Sequence, residues 1–349
     1  MHVADQLATG DQLVRWVIER EAWPGRDGWY IAHNIKTDEQ AFLRVWPKSS
    51  ANERVWERMT DLLGRIDMGT VPRLLDSGDD YERALLFIAI EHFEGELLGD
   101  LLLGGALDWR DVCTAMYDLA TGASALHQAG WVHRNIHPNN VLVARDGRAR
   151  LVGFEFAMDP EALSQAAAPK LGNLSYVAPE VIADPGYHSP RADLYAVGVV
   201  FYEALTGGAA FPAAAWGDRV DPAARMLEWK TRAKALDPGP SAPPWLSNLI
   251  KHATDPDPAR RLPDLETLVG WLEAAHHSWT PGNLPDTSRA VAPVAAPPRL
   301  ELRPSLMGAP PVAPAPPFQP RYSLAASLGV VGGMAFSVLV IIVVEMLLG

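Results

Sequence analysis

The chain is predicted to be an α+β fold of two lobes, a small strand-rich lobe followed by a larger helical one, carried on a single C-terminal membrane helix. Three observations lead there. Short extended segments crowd residues 1–91, whereas helical spacing dominates residues 92–277. The composition then breaks into a Pro- and Ala-rich stretch over residues 278–322. Residues 323–348 hold an uncharged apolar run, interrupted only near its end by Glu345.

The small lobe comes first. WVIEREAW at residues 16–23 and WYIAHN at residues 29–34 flank a Pro-Gly-Arg-Asp-Gly turn, so both read as strands. QAFLRVW at residues 40–46 is a third strand after the polar turn KTDE. Over residues 51–66, Val55, Met59, Leu62, Leu63 and Ile66 fall on one helical face. ALLFIAIEHF at residues 84–93 is a short apolar run suited to a buried strand. Beyond it, residues 108–128, 193–205, 244–252 and 265–275 read as helices. Trp46, Trp56 and Trp109 fall at amphipathic positions and are expected to pack. Trp23, Trp29 and Trp216 lie near turns, where an exposed aromatic could belong to a partner surface.

The Pro-rich stretch, with its APPVAPAPP tract, cannot bury enough apolar surface to fold, and proline keeps it semi-extended. The uncharged run from Leu324 to Val344 would rise about 30 Å as a helix, the thickness of a hydrocarbon core. Arg299, Arg303 and Arg321 precede this run, which puts the folded part on the cytoplasmic side of a cell membrane. Gly329 and Gly333 stand four apart, a spacing that permits close approach of two helices and hence a homodimer.

Composition narrows the partners. The 349 residues carry a formal net charge of -12, which argues against nucleic acid, whose binding draws on basic contacts to phosphate. Hydrophobic residues make up 48%, enough for a full core. Cys113 is the only cysteine, so neither an internal disulfide nor a cysteine-based zinc site can form. The pair His276 and His277 lacks accompanying ligands, and no metal is expected there.

Local motifs then become specific. GWVHRNIHPNNVLV at residues 130–143 resembles the catalytic loop of Ser/Thr protein kinases, with His133, Arg134, Pro138 and Asn140 at matching places. GNLSYVAPEVI at residues 172–182 is similar to the end of the family's activation segment, with Ala178, Pro179 and Glu180 as its signature. RADLYAVGVVFYEALTG at residues 191–207 resembles the buried helix with Asp193 and Gly198, and DPDPARRL at residues 255–262 resembles the last element, with Arg261. LLFIAIEHFEGELLGDLL at residues 85–102 looks like the strand and hinge between the lobes. The order and spacing of these pieces extend the resemblance over about residues 10–275, and the single-pass layout separately resembles that of bacterial receptor-type kinases. It implies a two-lobed kinase fold in which His133, Arg134, Phe154, Glu180, Asp193, Gly198 and Arg261 are scaffold, with Glu180 and Arg261 as a buried ion pair.

The same resemblance exposes what is missing. Phosphoryl transfer uses a carboxylate to orient the hydroxyl, metal ions on the phosphates, and a lysine paired to a glutamate. The catalytic Asp position holds Asn135, an amide that cannot take a proton at neutral pH, and the catalytic-loop Lys position holds His137. The metal motif Asp-Phe-Gly reads Gly153-Phe154-Glu155, and the strand motif Val-Ala-Ile-Lys reads Ala41-Phe42-Leu43-Arg44. The phosphate-covering glycines fall near Ala22, Pro24 and Asp27, with Gly25 and Gly28 nearby. The degenerate cofactor site is thus expected at Arg44, Glu57, Ile90, Glu91, Phe93, Asn140 and Gly153. ATP binding, if any, would be independent of magnesium. The implied function is a catalytically inactive pseudokinase that holds a protein partner, an active kinase or envelope machinery, at the membrane. The alternative is an unorthodox active Ser/Thr kinase in which Glu155 replaces the metal carboxylate and Lys36 or Lys48 the strand lysine.

Overall fold

Alternation of side chains along each strand builds the small lobe. The computed structural model describes residues 7–166, 169–211 and 221–278, all within one unit, Met1–Val291. Strands β1 (Gln12–Leu13), β2 (Trp16–Glu21), β3 (Trp29–Asn34), β4 (Gln40–Pro47), β5 (Leu74–Asp80) and β6 (Leu85–Glu91) form one antiparallel sheet in the order β1-β2-β3-β4-β6-β5. Trp29 and Ile31 of β3, Phe42 and Trp46 of β4, and Ile88 and Ile90 of β6 turn to one core, shared with the large lobe. Their neighbours Tyr30, Ala32, Leu43, Val45, Phe87 and Ala89 fill a second core behind the sheet. Successive residues of a strand point to opposite faces, so both faces of β4 are buried. Arg44 lies in register opposite Trp29 and Ile88 and shares the inward face with Phe42 and Trp46.

Helix α1 (Ser50–Arg65) starts at Ser49, whose hydroxyl accepts the Asn52 N–H, and buries Met59, Leu62 and Leu63. Trp23 and Trp29 are 8% and 6% exposed and meet edge to face at 5.3 Å. Neither ring is therefore available to a partner surface. The loop folds inward and takes its aromatics with it.

Strand β5 was not legible from periodicity, because its sequence LLDSGDD looks like a turn. Its carboxylates find partners outside the strand. Asp76 accepts the Trp16 indole N–H at 2.9 Å and pairs with Arg15 at 3.1 Å, and Asp79 pairs with Lys48. These contacts let an acidic segment serve as a sheet edge.

The large lobe is built around α3 (Trp109–Gln128), capped by Asp108, and the buried α6 (Pro190–Thr206), capped by Ser189. Between lobes run β7 (Glu96–Leu97) and α2 (Leu98–Leu101); β7 joins β8 (Val141–Val143) and β9 (Ala149–Leu151) in a small sheet. Short α4 (Pro160–Gln165) and α5 (Pro179–Ala183) follow, then α7 (Pro222–Arg232), α8 (Pro244–Ala253) and α9 (Leu265–Ser278). At Gly198 an added Cβ would lie 2.6 Å from Thr254 Cγ2 and 2.8 Å from Ala253 Cβ, so glycine there lets the end of α8 press against α6. Among the described residues no helix is long and apolar enough to cross a membrane. The predicted linker and span, Gly329, Gly333, Trp216 and the side chains of His276 and His277 lie outside the described residues.

Candidate interlobe site

The loop between α3 and β8 is fixed from beneath. Asp193, in the first turn of α6, accepts the backbone N–H groups of His133 at 2.7 Å and Arg134 at 2.9 Å, with His127 Nε2 also at 2.9 Å. His133 is fully buried, and burial pushes its pKa down, so it is held neutral. Its Nε2 donates to the Val152 carbonyl at 3.1 Å, and its Nδ1 accepts the Asn135 N–H at 3.3 Å. Phe154 meets the His133 ring edge-on at 5.2 Å. Arg134 sits at φ 65°, a left-handed value uncommon outside glycine, and its guanidinium donates to the carbonyls of Pro185 at 2.8 Å and Tyr187 at 3.3 Å.

Further along, Glu180 of α5 and Arg261 form a bidentate pair, with Nη1–Oε1 at 2.5 Å and Nη2–Oε2 at 2.8 Å. Arg261 also donates to the carbonyls of Asp255, Arg191 and Pro256, and its guanidinium lies 4.8 Å from the Tyr195 ring centre. The two residues of the expected pair thus meet in the core.

Above this scaffold the chemical positions are bonded to one another. Asn135 Oδ1 accepts the backbone N–H of Asn173 at 3.0 Å, so the amide ties the loop to the segment leading into α5. Asn140 is buried. Its amide NH2 donates to the Asn135 carbonyl at 2.9 Å and to His137 Nε2 at 3.0 Å, and its Oδ1 accepts from Arg26 Nη2 at 2.9 Å. His137 must be neutral to accept there. Burial, then the cationic Arg26 beside it, pushes its pKa down to about 3.

Gly153 adopts φ 81°, ψ 52°, and an added Cβ would lie 2.4 Å from both Cγ and Oδ1 of Asn140. Magnesium takes oxygen ligands in near-ideal octahedral geometry, usually from one or two carboxylates and substrate phosphates. The residues present do not fit that ion. One ligand position is a glycine with no room for a side chain, and the other presents its oxygen to a guanidinium.

The strand cation has a different partner from the one the resemblance implies. Glu57 is exposed on α1 and does not pair with Arg44. Instead Arg44 Nε bonds Glu155 Oε1 at 3.1 Å, and Nη1 donates to the carbonyls of Asp27 at 3.0 Å and Val45 at 2.9 Å. Gly28 leaves space for this, since a Cβ there would lie 2.2 Å from Arg44 Nη1. From α1 it is Arg58 that crosses to the large lobe, donating to the Ala157 carbonyl at 2.7 Å and the Glu155 carbonyl at 2.8 Å. Lys48 is paired with Asp79 and lies over Tyr81, and Lys36 sits in an exposed turn, so neither stands in for a strand lysine.

At the hinge, Ile90 is buried opposite Phe42, and the Glu91 carboxylate forms ion pairs with Arg150 at 3.0 Å and Arg73 at 3.6 Å. Phe42 stands where the resembled motif has alanine. It stacks on Trp23 at 4.9 Å and 22°, meets His92 at 4.6 Å, and meets Phe93 edge-on at 6.1 Å. Sequence reasoning missed Trp23, Arg26, Phe42 and Arg58 as parts of this site. Phe42 could have been flagged, since an aromatic in place of alanine adds bulk beside the hinge. The Pro24-Gly25-Arg26 turn carries no comparable signal.

Comparison with known proteins agrees with this architecture. The family model for the protein kinase domain matches residues 30–280. The Ser/Thr-protein kinase PknL of Mycobacterium tuberculosis is 32% identical over 253 residues, covering 70% of this chain and 61% of PknL. PrkC of Bacillus subtilis is 27% identical over 255 residues, covering 70% of this chain and 38% of PrkC, and pkn2 of Myxococcus xanthus is 29% identical over 243 residues, 65% and 28%. The chain thus spans less than two thirds of the length of these relatives. With a matched kinase domain, a β-rich small lobe, a helical large lobe and Ser/Thr kinases as relatives, the chain belongs to the Ser/Thr protein kinase-like family.

Proposed function

We propose that the chain is a catalytically silent kinase-fold protein, anchored in the membrane, that works by holding a protein partner at the cytoplasmic face. The observation that carries this reading is Gly153 packed against an Asn140 whose oxygen is taken by Arg26. Both of the family's metal-binding positions are affected at once. Asn135 adds a third loss, since its amide is engaged with Asn173 and has no basicity. Loss of one transition-state group commonly lowers rates by factors of about 10²–10⁴, and such losses do not add simply. Any nucleotide that binds does so without magnesium.

Membrane anchoring rests on the uncharged run from Leu324 to Val344, with orientation from Arg299, Arg303 and Arg321. The partner is a protein, an active kinase or a component of envelope assembly. Gly329 and Gly333 offer a contact for a second copy within the bilayer. The competing reading, an active kinase of unusual chemistry, draws on the intact scaffold at Asp193 and Glu180–Arg261.

Thermal unfolding with ATP, with and without magnesium, tests the silent reading. A ligand at a hundred times its dissociation constant stabilises by about 2.7 kcal/mol. No magnesium-requiring shift is expected. A rise of several degrees that needs magnesium overturns it.

A further inference from the structure

Three arginines of the small lobe cross the cleft. Arg26, from the loop between β2 and β3, reaches Asn140 Oδ1 at 2.9 Å. Arg44, from β4, reaches Glu155 at 3.1 Å, and Arg58, from α1, reaches the carbonyls of Glu155 and Ala157. All three therefore end on the large lobe between Asn140 and Ala157. The same loop that delivers Arg26 delivers Trp23, which stacks on Phe42 beside the hinge residues His92 and Phe93. In the resembled enzymes a nucleotide and its metal ions lie between the lobes at this place. Here the misfit to magnesium is matched by cationic side chains that already occupy the same contacts.

We infer that Arg26 and Trp23 act as an intramolecular occupant of the cleft, so that the closed arrangement of the lobes is held by the chain itself and does not depend on nucleotide. Each contact has a distinct task. Arg26 supplies positive charge to Asn140, Arg44 neutralises Glu155, and Arg58 takes up two backbone carbonyls that a looser small lobe would release. The Trp23–Phe42 stack fills the apolar part near the hinge. A scaffold built this way shows its partner one constant surface, whatever the nucleotide level. This device gives structural sense to the silent reading above and rests on it for its purpose, but its geometry is testable separately.

The test is hydrogen exchange on the full chain in lipid nanodiscs, read over residues 22–28 and 135–157, with α6 as internal reference. In the wild-type protein, ATP with or without magnesium is expected to leave exchange in both segments unchanged. Arg26→Ala is expected to speed exchange in both by roughly tenfold while α6 stays protected. Protection of either segment by nucleotide in the wild type overturns the inference, and that arm needs no variant. Unchanged exchange over residues 135–157 in Arg26→Ala also overturns it. Phosphate transfer by the wild type would remove both the silent reading and the latch, since nucleotide would then lie where Arg26 and Trp23 do, whereas unchanged exchange in Arg26→Ala without any phosphate transfer would remove the latch alone and leave the silent reading standing.

Discussion

Glu180 and Arg261 offer the sharpest way to separate scaffold from chemistry. They are 3% and 5% exposed and share two hydrogen bonds, at 2.5 and 2.8 Å. Glu180→Ala removes the one carboxylate that, among the described residues, faces the Arg261 guanidinium at these distances and leaves the cation with three backbone carbonyls and the Tyr195 ring. Stranding one member of a buried pair costs about 3–5 kcal/mol. That is a large share of the 5–15 kcal/mol typical of a domain. At about 2–4 °C per kcal/mol for a domain of this size, the melting temperature should fall by about 6–20 °C. Asn135→Ala is the control. It loses one hydrogen bond to the exposed Asn173 N–H and should cost about 1 kcal/mol, or about 2–4 °C. Thermal unfolding of both variants by circular dichroism, in one buffer, reads the contrast. Equal shifts for the two would refute the assignment of Glu180 to the scaffold and Asn135 to the lost chemistry.

Three further outcomes are expected. Gly153→Asp should lower stability by about 1–3 kcal/mol, because it forces a side chain into a left-handed position against Asn140, and should not create magnesium-dependent ATP binding; calorimetric titration showing such binding would mean that Arg26 yields easily. His137 has its pKa lowered to about 3 from about 6.5, first by burial, so between those values the unfolded chain binds the extra proton and stability falls as the pH drops below about 6.5. Denaturant titrations should show a loss of roughly 1.4 kcal/mol per pH unit in that window from this group, a slope that His137→Gln removes; an unchanged slope in the variant contradicts the burial argument. Ending the chain before Leu324 should release it from membranes into the soluble fraction, and persistent sedimentation with membranes would show that a surface of the folded part also binds lipid.

The scaffold was legible because it rests on local rules. Turn residues between extended segments marked β2, β3 and β4, a short apolar run marked β6, and helical spacing marked α1, α3, α6, α8 and α9. The pairing of Glu180 with Arg261 across 81 residues was implied by the family resemblance of the two motifs that carry them. Features that depend on distant partners were not legible. The carboxylates of β5 look like loop until Arg15, Trp16 and Lys48 are brought to them. Lys230 of α7 is fully buried, its Nζ bonded to the carbonyls of Ser175 and Val177, and burial drives its pKa well down. Nothing in the local sequence marks a lysine for the interior. The same holds in the cleft. Motif alignment identified the residues lost, but not that Arg44 would choose Glu155 over Glu57, or that Arg26 would cap Asn140.

On the proposed reading this kinase fold does not move phosphate. Incubating the full chain with γ-labelled ATP and magnesium or manganese, and following label in the chain itself and in a general basic protein substrate, tests it most directly. No incorporation above that of a heat-denatured control is expected, in the wild type and equally in Asn135→Asp, because Gly153 still lacks a carboxylate. Time-dependent transfer by the wild type that Arg44→Ala abolishes would contradict it.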